Sequence, residues 1–136
     1  MVKIFIATES RFPINRRSIK MAVEKVLKEK NIRVNVTVEV NIVGDRKMRF
    51  LIKTYRNIDQ ATNVLSFPLE NSYDDEKKSI GFVNPPDGIL RLGSIVVSFP
   101  QAVLEAAGEN CLVDERIAFL VEHGMMHLLG YHHDDN

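Results

Sequence analysis

Glu122-His123-Gly124-Met125-Met126-His127-Leu128-Leu129-Gly130-Tyr131-His132-His133 is the stretch on which the reading of this chain turns. On a helix, residues four apart project from one face, a turn apart. His123 and His127 therefore aim two imidazoles at one point, where both reach a single ion at about 2.0–2.1 Å. The run just before them, Ile117 to Val121, is apolar on all sides. That predicts a buried helix from about Val113 to Leu129. Gly130 ends it, because glycine accepts backbone angles that other residues resist. Beyond the glycine the chain is expected to fold back and deliver His133 as a third ligand. Three protein nitrogens leave a fourth position open, the arrangement of a catalytic zinc rather than a closed structural one. The expectation is one zinc per chain.

All four histidines of the chain fall within eleven residues. Plainer roles exist for each: two histidines one turn apart also pack as hydrogen-bonded core, and His133 also reads as a solvated tail residue. His132 competes with His133 for the third position, and spacing favours His133. The pattern His-x-x-x-His-x-x-Gly-x-x-His is that of the metzincin proteases, so a metzincin-like metal site is expected. Those enzymes place their general-base glutamate directly after the first histidine. Here that position is Gly124. Glu122 lies on the other side of His123, and a rotation of about 100° per residue turns it away from the same water. Spacing thus favours a metallopeptidase, and Gly124 opposes it. Met125, Met126, Leu128 and Leu129 read as core packing. Asp134 and Asp135 read as frayed surface or as acceptors for a ligand histidine N–H.

Working outward, Val2 to Ala7 reads as a first strand. Ile14 to Lys30 carries Ile19, Val23, Val26 and Leu27 at helical spacing. Arg33 to Val43 alternates, with Val34, Val36, Val38, Val40 and Ile42 on one face and Asn35, Thr37, Glu39 and Asn41 on a wet one. Asp45 to Arg56 has Met48, Leu51, Ile52 and Tyr55 at helical spacing. Asn63 to Pro68 is a short strand. Glu70 to Arg91 is acidic and then turn-rich, which predicts a long surface loop. Gly93 to Ser98 is another strand. Ser98 caps a following helix with Gln101 three residues on, Pro100 sits in its first turn, and Gly108 is expected to stop it. The strands mix with helices without regular alternation. The fold class is therefore α+β: a single domain over 1–136, with a small mixed sheet, packed helices and the metal-binding helix buried at the C-terminus.

The chain has 136 residues and one cysteine, Cys111. This rules out an internal disulfide framework and a cysteine zinc cluster, and it fits a reducing compartment. A zinc deaminase is excluded because its Cys-x-x-Cys ligands are absent. The run Val2 to Ala7 is too short for a signal-peptide core, and no apolar stretch reaches membrane-spanning length. The chain reads as cytoplasmic, without a membrane partner. Net charge is zero, yet residues 1–56 hold fourteen of the eighteen Lys and Arg and five of the eighteen Asp and Glu. That leaves +9 on the first part and −9 on the rest. Such an asymmetry is either the footprint of a nucleic-acid partner or a solvated, Lys-rich face.

The segment His123 to His133 resembles the signature His-Gly-x-x-His-Leu-x-Gly-Tyr-Asp-His of the YbeY family. Its members are bacterial metal-dependent endoribonucleases that act in ribosomal RNA maturation. Two further segments agree: Tyr55-Arg56 followed by Asp59 and Thr62-Asn63-Val64-Leu65-Ser66-Phe67-Pro68, and the strand from Leu92-Gly93 through Ser98. The family's Asp before the third histidine is His132 here, and the Asp of its Leu-Gly-Asp strand is Ser94. The resemblance implies that Arg56 is the catalytic arginine. A guanidinium can clamp two non-bridging oxygens as phosphodiester cleavage builds charge on them. It further implies a zinc-dependent, single-strand-specific endoribonuclease of 16S 3′-end maturation and ribosome quality control. Its partners would be single-stranded RNA, ribosomal RNA and the small ribosomal subunit, with no DNA. The metal would supply a hydroxide that either attacks phosphorus or takes the ribose 2′-OH proton. Ser66 reads as a strand residue rather than a nucleophile. A non-catalytic zinc protein associated with the ribosome is the remaining alternative, and the oligomeric state is left open.

Overall fold

The structure is a computed structural model that describes residues 1–56, 63–69 and 88–131. Eight elements follow one another: β1 (Val2–Thr8), α1 (Arg16–Glu29), β2 (Asn35–Val43), α2 (Asp45–Arg56), β3 (Val64–Pro68), β4 (Ile89–Ser98), α3 (Phe99–Glu109) and α4 (Val113–Leu128). The strands form one sheet in the order β1-β2-β4-β3. β1, β2 and β4 are parallel, and β3 runs antiparallel along β4 as an edge. This is the mixed α+β arrangement that the sequence predicts. No helix of the described residues is long and apolar enough to cross a membrane.

Alternation along β2 decides which side of the sheet is filled. Val36, Val38, Val40 and Ile42 face α1 and α4, where they pack with Ile19, Val23, Leu120, Val121, Met125 and Leu128. The opposite face is smaller. There α2 lays Met48 and Ile52 on Val43, Leu65 and Val96. Because side chains alternate along a strand, β4 serves both cores: Ile95 and Val97 face α4, and Val96 faces α2.

Three expectations are corrected. The segment expected to be loop through Arg91 is already strand at Ile89, and Leu90 and Leu92 are buried. The register of β4 against β2 slips between Thr37 and Val38, leaving Leu92 as the extra residue before Gly93, whose φ is 120°. A glycine inside a strand marks such a bulge, whereas the sequence alone places the strand's start at Gly93. Residues 70–87 of that predicted loop lie outside the described residues. The second correction concerns α3, which runs through Gly108 and stops at Asn110, in the left-handed conformation at φ 58°. Asparagine tolerates that conformation and can replace glycine at a helix end. The third concerns α4. Ile117, Leu120 and Val121 are buried as expected, but Phe119 is 50% exposed, so one side of the helix is open.

Candidate metal centre

The positions of His123 and His127 follow from how α4 is seated. Gly124 faces β4, and a Cβ added there would stand 2.7 Å from Cγ2 of Ile95. Only glycine lets the helix backbone lie that close to the sheet. The Ser66 hydroxyl of β3 donates to the Gly124 carbonyl at 3.2 Å, which ties the edge strand to the same turn. Ser66 thus has a structural role, as the sequence suggests. With Gly124 turned inward, the flanking histidines emerge at the side of the helix, half-buried.

Their Nε2 atoms are 3.2 Å apart, and their ring centroids 4.8 Å. Two nitrogens each about 2.0–2.1 Å from one tetrahedral ion are separated by about 3.3 Å. The pair therefore fits a shared ion, and neutral imidazole is a suitable donor for zinc and its neighbours in the first transition row. The same separation fits a hydrogen bond in which one ring donates and the other accepts. Among the described residues no third His, Cys, Asp or Glu forms a metal-binding group with the pair. His132 and His133, the candidates for that place, lie outside the described residues, as do Asp134 and Asp135.

The end of α4 is closed by backbone hydrogen bonds at Gly130 and Tyr131. Gly130, at φ 91°, donates its N–H to the His127 carbonyl at 3.0 Å, and Tyr131 donates to Met126 at 2.8 Å. This is the Schellman closure, in which a left-handed residue satisfies the last carbonyls. Lys30, at the end of α1, places its ammonium 4.4 Å from the Tyr131 ring centroid. A cation over a ring face is attractive, so Tyr131 is held against the end of α1. Glu122, which the sequence places off the face of the histidines, pairs with Lys25 of α1 at 3.4 Å.

Arg56 is the last residue of α2; its side chain is outside the described atoms, as are Asp59 and Thr62. The residue before it, Tyr55, meets Phe67 of β3 edge-on at 5.3 Å. The end of α2 is therefore fixed against the same edge strand that Ser66 ties to α4.

Sequence reasoning missed a second set of residues. Asn63, at the start of β3, donates its amide to Glu105 of α3 at 3.0 Å. Glu105 also receives Arg116 of α4 at 2.8 Å, and Glu109 receives the same guanidinium at 3.2 Å. The Arg116 guanidinium lies 4.6 Å from the centroid of Phe119, whose ring is 6.4 Å from that of His123. The available signal was spacing: Phe119, His123 and His127 recur every four residues. It was masked by the apolar residues on either side of Phe119.

A family model described as Endoribonuclease YbeY matches residues 5–136. Three relatives named Endoribonuclease YbeY are similar to the chain. That of Dehalococcoides mccartyi is 36% identical over 118 residues, spanning 86% of this chain and 69% of the relative. That of Roseiflexus castenholzii is 32% identical over 134 residues, spanning 98% and 80%. That of Heliobacterium modesticaldum is 42% identical over 99 residues, spanning 71% and 58%. The solution structure of a Thermotoga maritima protein shares the fold with a TM-score of 0.57 at 24% identity, covering 98% of this chain and 76% of that one. The chain belongs to the family described as Endoribonuclease YbeY.

Proposed function

We propose that this protein is a zinc-dependent endoribonuclease that cuts single-stranded RNA in the cytoplasm. Its substrate would be precursor ribosomal RNA, at the 16S 3′ end, and its setting the small ribosomal subunit. The reading rests on the His123–His127 pair, 3.2 Å between nitrogens on one helix, in a chain of this family.

His123, His127 and His133 would hold the ion, one per chain. When bound, the ion supplies Lewis acidity that makes a water-derived nucleophile available near neutral pH. Arg56 has a positioning and charge-stabilising task. Its planar fork can donate to two non-bridging phosphate oxygens as negative charge grows on them. Gly124 and Ser66 fix the turn that carries the histidines. The +9 charge of residues 1–56 attracts the RNA backbone and makes affinity fall as salt rises.

A metallopeptidase reading fails at Gly124. That position faces Ile95, not solvent, so a general-base glutamate has no room there.

The test is cleavage of single-stranded and duplex RNA by protein of known metal content, beside His127→Ala and Arg56→Ala. The expected result is single-strand cleavage that both substitutions and chelation abolish. Equal cutting by all three proteins would mark a contaminant. Full metal occupancy without His123 and His127 would overturn the ligand assignment.

A further inference from the structure

We propose that Phe119 is a stacking platform for one unpaired base of the RNA, and that it gives the site its preference for single strands. The inference rests on the endoribonuclease reading above and specifies what lies beside the metal centre.

Exposure and position carry it first. Phe119 is 50% exposed on a helix whose adjoining residues, Ile117, Leu120 and Val121, are at most 1% exposed. A large exposed aromatic in that setting is not there for the core. Its ring also belongs to the histidine stripe, 6.4 Å from His123 and inclined to it by 29°. Successive bases rise about 3.4 Å along a strand. A base on Phe119 therefore lies within about two nucleotides of a phosphate at the histidines.

The ring is held in place before anything binds. Arg116 covers it at 4.6 Å and is itself fixed by Glu105 and Glu109. A side chain already ordered loses little freedom on binding, which favours its use as a platform. The cavity beside it, of about 610 Å³, is lined by Phe119, Leu120, His123 and Met126, together with Val26 and the carboxylates Glu29 and Glu122. Its volume suits a small planar ligand.

The charges decide which part of the nucleotide enters. Glu122 is paired with Lys25, and the Arg116 charge is engaged by two glutamates. Among the described residues no Lys or Arg lines the cavity, whereas Val26, Leu120 and Met126 do, so its wall offers a phosphate no lysine or arginine and suits the uncharged base. A duplex keeps its bases stacked on one another, whereas a single strand can turn one out onto an aromatic ring.

The sequence has no tryptophan, so Phe119→Trp places a single indole reporter at the platform. Metal-loaded Phe119→Trp is titrated with a short single-stranded oligoribonucleotide, its duplex form, and a single strand carrying abasic positions. Quenching by the intact single strand alone is expected. Phe119→Leu keeps an apolar side chain without a π face and is expected to weaken single-strand affinity about 5- to 100-fold, with metal content and melting temperature unchanged. Equal quenching by the abasic strand, or unaltered affinity in Phe119→Leu, would sink the platform while leaving the reaction assignment standing. A protein that neither binds nor cuts single-stranded RNA would sink both.

Discussion

Gly124 and Ile95 are matched as socket and knob: a Cβ on the glycine would approach Cγ2 of the isoleucine to 2.7 Å and Cγ1 to 3.1 Å. Isoleucine is branched at Cβ and stiff about χ1, so it cannot easily yield. The contact sets the distance between α4 and the sheet, and through it the position of both histidines.

Gly124→Ala should therefore destabilise the protein despite alanine's helix preference. Overpacking costs about 1–3 kcal/mol, against about 1 kcal/mol gained in helix propensity. Urea denaturation should show a net loss of about 1 kcal/mol, and metal affinity should fall as the histidine turn is displaced. Combining it with Ile95→Ala should cost less than the two single losses added, since contacting residues are coupled. Strict additivity would mean that the close approach is unimportant.

Much of this arrangement was legible in the sequence because it is periodic. Alternation in β2 and four-residue spacing in α1, α2 and α4 report which face is buried, and those faces are the ones buried here, except that Tyr55, counted with Met48, Leu51 and Ile52 on the apolar face of α2, is 64% exposed. What escaped prediction is not periodic. Gly93 reads as a boundary because glycine usually is one, yet here it permits a bulge in mid-strand. Gly108 reads as a helix stop, whereas the left-handed residue is Asn110. The candidate site divides the same way: the His123–His127 pair is visible as local spacing. The bracing of Phe119 by Arg116, Glu105 and Asn63 depends on α3, α4 and β3 meeting, which no local pattern encodes.

Glu105 is the centre of that brace, and Glu105→Ala should be felt in two places. Arg116, whose side chain is 15% exposed, would keep only Glu109, and Asn63 would lose its acceptor. Leaving such groups unpaired costs about 1–3 kcal/mol. Thermal or urea unfolding should show that loss, with Glu105→Gln recovering part of it through its remaining carbonyl. A change below about 0.3 kcal/mol in Glu105→Ala would mean the network is only a surface arrangement.

Gly93→Ala should be more damaging than Gly124→Ala. The glycine is at φ 120°, and its added Cβ would overlap the Phe67 carbonyl oxygen and stand 2.8 Å from the Leu69 nitrogen. Both neighbours are backbone and cannot rotate aside. Strain of this kind, together with the clash, should exceed about 3 kcal/mol. Hydrogen exchange should show β3 detached from β4 even where the rest of the sheet is protected. An unperturbed β3 would contradict the register.

Gly108→Ala tests the end of α3 in the opposite direction. If Gly108 stopped the helix in a left-handed conformation, alanine would destabilise it. Here the helix continues to Glu109, the φ > 0 residue is Asn110, and nothing stands within 4 Å of a Cβ at 108. Alanine should then gain the helix preference with no clash, raising stability by about 0.5–1 kcal/mol. The companion variant Asn110→Gly should also stabilise, because glycine adopts φ > 0 without the Cβ penalty. A stabilising Gly108→Ala together with a neutral or stabilising Asn110→Gly places the stop at 110. A destabilising Gly108→Ala would return it to the position that the sequence alone suggests.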